Sequence, residues 1–192
     1  RLVGGETSAI YGIEEDSQIL DFERSLVDRY LTWGWSDPDD PRCIPTPAGR
    51  LISIRERTQT SLGTDILYTG TVALRFPVLA RPDFSGYFDL QQRFFRAVDA
   101  DLRRRIRVRL HASDFGWGIE RRLVEAIPDL NIERWETTFE ESLQASRLYV
   151  CDHMSTTWTM ALASNTPTII FWDPTYTPVR DAMQPVFDIA RA

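Results

Sequence analysis

The chain has 192 residues, a formal net charge of −6 and an apolar fraction of 43%. This size suits one large domain, or one domain with an extension, and the apolar fraction is sufficient to fill a core. The negative charge argues against non-specific nucleic-acid binding. All 22 basic residues are arginines, which excludes a catalytic or Schiff-base lysine.

The two cysteines lack the spacing of a metal site. Cys151 belongs to an expected buried strand, so we expect no disulfide with Cys43 and a reducing, cytoplasmic environment. No apolar run approaches the roughly 20 residues of a membrane-spanning helix, and no signal peptide is visible. Because the chain starts at Arg1 and stops soon after a predicted helix, we expect it to be part of a longer protein.

The N-terminal third, residues 1–61, is the least informative part of the sequence. Apolar residues recur with helical spacing over residues 19–30, which predicts an amphipathic helix. Four prolines fall between residues 33 and 50, and this density predicts an extended loop. The acidic residues of that loop follow no strand, so we predict no metal dependence.

From residue 64 onward, short β-branched runs alternate with amphipathic helical runs. The predicted strands are 64–71, 106–111, 130–134, 148–151 and 168–172, and the predicted helices are 87–105, 118–127, 139–145, 157–163 and 179–189. This alternation predicts an α/β fold over residues 62–192, a Rossmann-like, doubly wound parallel sheet of about five strands. With strand order 3-2-1-4-5, the first and fourth strands flank the switch point, where such sheets bind ligands.

Polar residues collect where these strands end. The candidate ligand-binding residues are Thr69, Gly70, Thr71, Arg75, His111, Asp152, His153, Ser155, Thr156, Thr157, Trp172 and Asp173. Parallel strands would bring Gly70, His111 and Ser155 to one edge of the sheet. Free N–H groups at the start of the helix after Ser155 would favour a phosphate or carboxylate. The alternatives stay open: a hydroxyl-capped helix without a ligand, and a solvent-exposed Arg75.

Several short motifs carry a resemblance to a known family. They are Arg147-Leu148, Asp152-His153, Ser155-Thr156-Thr157, Ala161-Leu162-Ala163, Asn165, Pro167-Thr168 and Phe171-Trp172-Asp173-Pro174, with Thr32-Trp33-Gly34-Trp35, Ile66-Leu67-Tyr68, Gly70-Thr71, Arg109-Leu110-His111 and Gly116-Trp117. With them the chain, from about residue 30, resembles transferases of bacterial O-antigen and surface-polysaccharide gene clusters. It is more distantly similar to GT-B glycosyltransferases and to CDP-glycerol glycerophosphotransferases.

The resemblance implies the C-terminal, donor-binding half of a GT-B-like architecture, with residues 1–61 as a linker and a remnant of the other half. It implies a nucleotide-activated sugar or polyol phosphate as substrate, with no separate cofactor. The acceptor would be a glycan or a lipid-linked molecule, and the enzyme would work in the cytoplasm, with possible peripheral contact at the inner face of the membrane.

The resemblance also suggests roles for individual residues. Ser155, Thr156 and Thr157 would hold donor phosphate, and His111 would contact it. Residues 69–71 would shape the floor of the crevice, Asp152 would orient His153 or its loop, and Trp172 or Asp173 would border the base or sugar. The candidates for catalytic work in this chain are His111 and Asp114. A non-catalytic nucleotide-binding scaffold and a nucleotide-sugar epimerase are the alternative functions.

Overall fold

The structure is a computed structural model that describes residues 1–15, 17–56, 63–71 and 84–191. Arg75 and the predicted domain boundary between residues 61 and 62 lie outside the described residues. The N-terminal part contains the elements β1 (Val3–Gly5), α1 (Gln18–Ser25), β2 (Arg29–Thr32), β3 (Cys43–Pro45) and α2 (Gly49–Glu56), with a 3-10 turn at Ala9–Gly12. The three strands form a parallel sheet in the order β1-β2-β3.

Two predictions for this part were correct only in part. The helix expected over residues 19–30 ends at Ser25, and Tyr30 lies in β2, where it is buried and donates to Glu23 Oε2 at 2.7 Å. Strand pairing on both sides of β2 outweighs the helical spacing. The proline-rich stretch is also not wholly extended loop, because it contains β3 and the start of α2. Pro45 is tolerated because it ends an edge strand.

A cluster of charges fixes the segment between β2 and β3. The Asp40 carboxylate accepts from Arg24 at 2.7 Å and from Arg42 at 2.9 Å, and Arg24 also donates to Asp37 at 2.8 Å. These guanidinium groups hold the pKa of Asp40 well below its usual range. The cluster thereby ties α1 to the loop that returns to the small sheet.

The C-terminal part contains the larger sheet and its covering helices. Its elements are β4 (Asp65–Thr69), α3 (Ser85–Ala97), α4 (Ala100–Arg103), β5 (Ile106–Arg109), α5 (Ile119–Ala126), β6 (Asn131–Ile132), α6 (Phe139–Gln144), β7 (Ser146–Cys151), α7 (Thr156–Ala163), β8 (Thr168–Ile170) and α8 (Gln184–Arg191). The five strands are parallel in the order β6-β5-β4-β7-β8. This confirms the predicted fold class. The strand order is the one considered in the sequence analysis, with β4 and β7 flanking the switch point.

The helix expected over residues 87–105 is interrupted. It divides into α3 and α4, because the Asp99 side chain accepts from the backbone N–H of Asp101 at 2.9 Å and so begins a new helix. α6 begins with a capping box, in which Thr138 and Glu141 satisfy each other's backbone N–H groups.

Two apolar cores cover the two faces of the large sheet. Tyr68, Val108 and Val150 pack with α3 and α5 on one face. Leu67 and Tyr149, which alternate with them along β4 and β7, pack with α6, α7 and α8 on the other. This alternation is what a sheet covered on both sides requires. None of the helices in the described ranges is long and apolar enough to cross a membrane.

The N-terminal part packs on the second of these faces. Ala9 and Ile13 belong to the core beneath α7, and the Thr156 hydroxyl of α7 donates to Ser8 Oγ at 3.1 Å. Arg180, before α8, donates to the Glu14 carbonyl at 2.7 Å. Residues 8–14 are therefore attached both to α7 and to the segment before α8.

Replacing Asp40 with Asn should destabilise the fold by about 1.5–3 kcal/mol at pH 7, since charged hydrogen bonds from Arg24 and Arg42 are lost. The pKa of Asp40 is lowered by folding, so this stabilisation is complete above the unfolded pKa of about 3.9 and declines progressively as pH falls from there toward the lower pKa of the folded state. Urea unfolding between about pH 3 and 7 measures the difference.

The matched control is Asp39→Asn in the same loop, because the Asp39 side chain is exposed. It should change stability by less than about 0.5 kcal/mol at any pH. An equal loss in both variants would contradict a special role for the Asp40 cluster.

Candidate functional site

The centre of the switch point is the fully buried carboxylate of Asp152, directly after β7. Its Oδ2 accepts from the Tyr68 hydroxyl of β4 at 2.5 Å and from Gln91 Nε2 of α3 at 2.6 Å. Its Oδ1 accepts from the backbone N–H of Thr71 at 2.8 Å and from His153 Nδ1 at 3.0 Å. Four donors from three parts of the fold therefore compensate the buried charge, as such a charge requires.

A glycine makes room for this arrangement. A Cβ atom on Gly70 would lie 3.1 Å from Gln91 Nε2 and 3.2 Å from Leu110 Cδ2, closer than ordinary contact. The missing side chain thus lets the Gln91 amide reach Asp152. The Tyr87 hydroxyl is also buried here, and burial and the Asp152 charge raise its pKa.

The opposite face of the same strand ends is lined by neutral hydroxyl and thiol groups. Thr69 and Tyr149 share a hydrogen bond between their side-chain hydroxyls. Burial raises the pKa of Tyr149 well above its usual value and that of Cys151 to about 12. Both groups therefore stay neutral near pH 7. The Thr69 side chain, which bonds to Tyr149, lies on this face of the sheet.

The hydroxyl groups at the start of α7 do not behave as a simple helix cap. Ser155 occupies the N-cap position in an extended conformation, yet its side chain makes no capping hydrogen bond. Its Oγ lies 3.4 Å from Thr157 Oγ1, which in turn lies 3.4 Å from His153 Nε2. The first turn of α7 contains no acidic residue. The helix start is therefore free of the side-chain cap that the alternative without a ligand assumes.

The loop after β5 carries the two residues predicted for catalysis. His111 is exposed, and its Nδ1 lies 3.1 Å from the backbone N–H of Ser113. The Asp114 carboxylate accepts from the backbone N–H groups of Gly116 at 2.6 Å and Gly118 at 2.8 Å. It holds the turn before α5, in which Phe115 has a positive φ of 50°. The catalytic roles of His111 and Asp114 remain predictions.

The segment after β8 carries the last two predicted ligand-binding residues, Trp172 and Asp173. The Trp172 ring packs 5.0 Å from the Phe187 ring, in the second core, and its Nε1 is buried without a partner among the described residues. The Asp173 carboxylate accepts from the Thr175 N–H at 2.9 Å and shapes the local turn. The predicted contacts of these two residues with a base or sugar remain predictions.

The structure places the predicted strand-end residues on one edge of the sheet. Thr69 is paired with Arg109 on one side and with Cys151 on the other, so the segments that continue to Gly70, His111 and Ser155 leave the same edge. Sequence reasoning missed Tyr68 and Gln91, which hold Asp152. The available signal was Gln91 itself, an amide on the otherwise aromatic face of α3.

No group of three or more His, Cys, Asp and Glu side chains within the described ranges is arranged to hold a metal ion. The metal independence predicted from the sequence stays a prediction.

The parallel, doubly wound sheet and the polar cluster at its switch point define a Rossmann-like α/β protein with a candidate ligand crevice. A family model described as LIC12162 family transferase matches residues 8–191, so the chain belongs to this transferase family. Searches of curated proteins and of solved structures found no match. The predicted transferase class is thereby confirmed, whereas the O-antigen context and the likeness to glycerophosphotransferases remain predictions.

Tyr68→Phe tests how much the fold depends on Asp152. It removes one donor from a fully buried carboxylate, which should cost about 1–3 kcal/mol of unfolding free energy. The control Tyr11→Phe removes a hydroxyl in a long, exposed contact at 3.5 Å and should cost less than about 0.5 kcal/mol. Denaturant unfolding of both variants gives the comparison. If Tyr68→Phe is as stable as Tyr11→Phe, the hydrogen bond from Tyr68 to Asp152 does not contribute to the stability of the fold.

Proposed function

We propose that the chain is the donor-binding half of a glycosyltransferase-like enzyme, which transfers a sugar or a polyol phosphate from a nucleotide-activated donor. The transferase family supports the reaction class. The crevice between β4 and β7 supports the ligand class, because nucleotides bind at the switch point of such sheets. Surface-polysaccharide synthesis in the cytoplasm, at or near the inner face of the membrane, is the process we propose on the basis of the resemblance.

The observation that carries the proposal is the uncapped start of α7. Ser155 leaves the first backbone N–H groups without a side-chain acceptor, and the helix dipole adds a partial positive charge there. The hydroxyl of Thr157 stands beside them. Together they match the requirements of a phosphate group, which offers several acceptor oxygens and negative charge.

Transfer from such a donor leaves negative charge on the departing phosphate. Fixed N–H and hydroxyl donors lower the barrier when they are aimed at that developing charge. In the proposed arrangement the phosphates lie at Ser155, Thr156 and Thr157, while His111 reaches them from the loop after β5. The glycan or lipid-linked acceptor would approach from the open side of the crevice.

A second function is favoured by the contacts of Asp114. Its carboxylate accepts from two backbone N–H groups and holds the turn before α5, which is a structural role rather than contact with an acceptor hydroxyl. A crevice that binds nucleotide without a catalytic base fits a non-catalytic binding module. Nucleotide binding without turnover of any nucleotide-activated donor by the full gene product would favour that module over the enzyme.

A thermal-shift screen with CMP, CDP, UDP and GDP tests the binding site. A nucleotide present at 100 times its Kd should add about 2.7 kcal/mol to the free energy of unfolding. Ser155→Ala should then weaken the bound nucleotide about ten- to a hundredfold, since a charge-assisted hydrogen bond is worth about 1.5–3 kcal/mol. The stability of the unliganded protein should change little, because Ser155 makes no capping bond.

The matched control is Ser164→Ala at the opposite end of α7, where the hydroxyl donates to the Ala161 carbonyl at 2.8 Å. It should leave nucleotide affinity unchanged. Wild-type affinity in Ser155→Ala, or an equal loss in Ser164→Ala, would count against a phosphate at the start of α7.

A further inference from the structure

The contacts of Asp152 determine which nitrogen of His153 carries hydrogen. The Asp152 carboxylate can only accept, so the His153 Nδ1 that lies 3.0 Å from Oδ1 must be the protonated nitrogen. Asp152 is fully buried and is held by Tyr68, Gln91 and Thr71, so it cannot turn away. In a neutral imidazole this leaves the lone pair on Nε2.

The Nε2 atom of His153 faces the start of α7. Its recorded neighbour is Thr157 Oγ1 at 3.4 Å, a distance too long for a strong hydrogen bond. The His153 side chain is 14% exposed, so a ligand in the crevice can reach it. Nε2 is therefore placed beside the Ser155 and Thr157 hydroxyls with its hydrogen-bonding capacity largely unused.

We propose that His153 binds the donor phosphate as an imidazolium, with Asp152 as its buried counter-ion, so that nucleotide binding takes up a proton at Nε2. The inference rests on the proposed function, since it assumes phosphate at the start of α7. In this proposal Asp152 is a positioning residue for the His153 ring. His153 takes up the proton, whereas His111 contacts the phosphate from the loop after β5.

The proton uptake follows from the chemistry of the two partners. A neutral Nε2 and a phosphate oxygen are both acceptors, so they cannot bond until a proton from solvent joins Nε2. The resulting positive charge is then balanced by Asp152 on one side of the ring and by phosphate on the other. The phosphate charge favours the protonated form, so phosphate and proton strengthen each other's binding.

The neighbouring titratable groups do not replace His153 in this role. Tyr68 in β4, Tyr87 in α3 and Cys151 in β7 have pKa values raised by burial, so they remain neutral near pH 7. Asp173, after β8, acts on this cluster as a further negative charge that raises the pKa of Tyr87.

Isothermal titration of CDP, UDP and GDP, in buffers of different ionisation enthalpy, measures the protons taken up on binding. Wild type should bind the preferred diphosphate with proton uptake, and its affinity should fall as pH rises, by at most about tenfold per pH unit for one proton taken up. His153→Gln should remove that uptake and weaken binding about ten- to a hundredfold at about pH 6, with a smaller loss at about pH 8. Uptake that remains in this variant measures protonation of the nucleotide itself.

The chain has two histidines, so His111→Gln is the matched variant. It should retain the proton uptake even if its affinity falls. Uptake equal in wild type and His153→Gln, or uptake lost in His111→Gln instead, would overturn the inference while leaving nucleotide binding in place. A wild type that binds none of the three nucleotides would contradict the proposed function, and this inference with it.

A measurement on wild-type protein avoids any effect of the substitutions on folding. In protein labelled with ¹⁵N-histidine, the His153 Nε2 resonance should move from the value of an unprotonated nitrogen to that of an imidazolium when the diphosphate is added at about pH 7.5. An Nε2 that stays unprotonated in the complex would overturn the inference.

Discussion

The fold depends on compensating one charge, the carboxylate of Asp152. A buried carboxylate costs several kcal/mol unless donors surround it. Here the donors are Tyr68 from β4, Gln91 from α3, the N–H of Thr71 and the ring of His153. This charge is therefore satisfied only when β4, α3 and the chain after β7 are correctly assembled. The candidate crevice and the core between the sheet and α3 therefore depend on the same side chains.

The large sheet could be predicted because its information is local. Short β-branched runs alternate with amphipathic helices, and the rules for parallel sheets then restrict the order of the strands. The same reasoning failed for Tyr30, whose spacing suits a helix but whose partners are the strands on both sides of β2. Pairing with distant residues, which periodicity does not record, decides such positions. Asp99, which interrupts a long helical pattern, is a local signal that was available and was missed.

The candidate site was predictable in position but not in its internal contacts. The predicted strand ends identified Asp152 and Ser155 as candidate residues, because the edge at which parallel strands end follows from chain direction alone. The bond between Tyr68 and Asp152 joins residues 84 positions apart, and no spacing rule connects them. Residue type also does not determine the role of a polar side chain. Ser155 has the residue type of a cap without making a capping bond, whereas Asp114 holds a turn through two backbone N–H groups.

The contact between Thr156 and Ser8 has a mechanical consequence. It joins the first residue of α7 to the N-terminal segment directly, without passing through the sheet. Arg180 fixes the same segment to the chain before α8 through the carbonyl of Glu14. A force or a binding event that displaced residues 8–14 would therefore act first on the start of α7. The N-terminal segment and the chain before α8 are thus connected to the proposed phosphate site by direct contacts, over a short path.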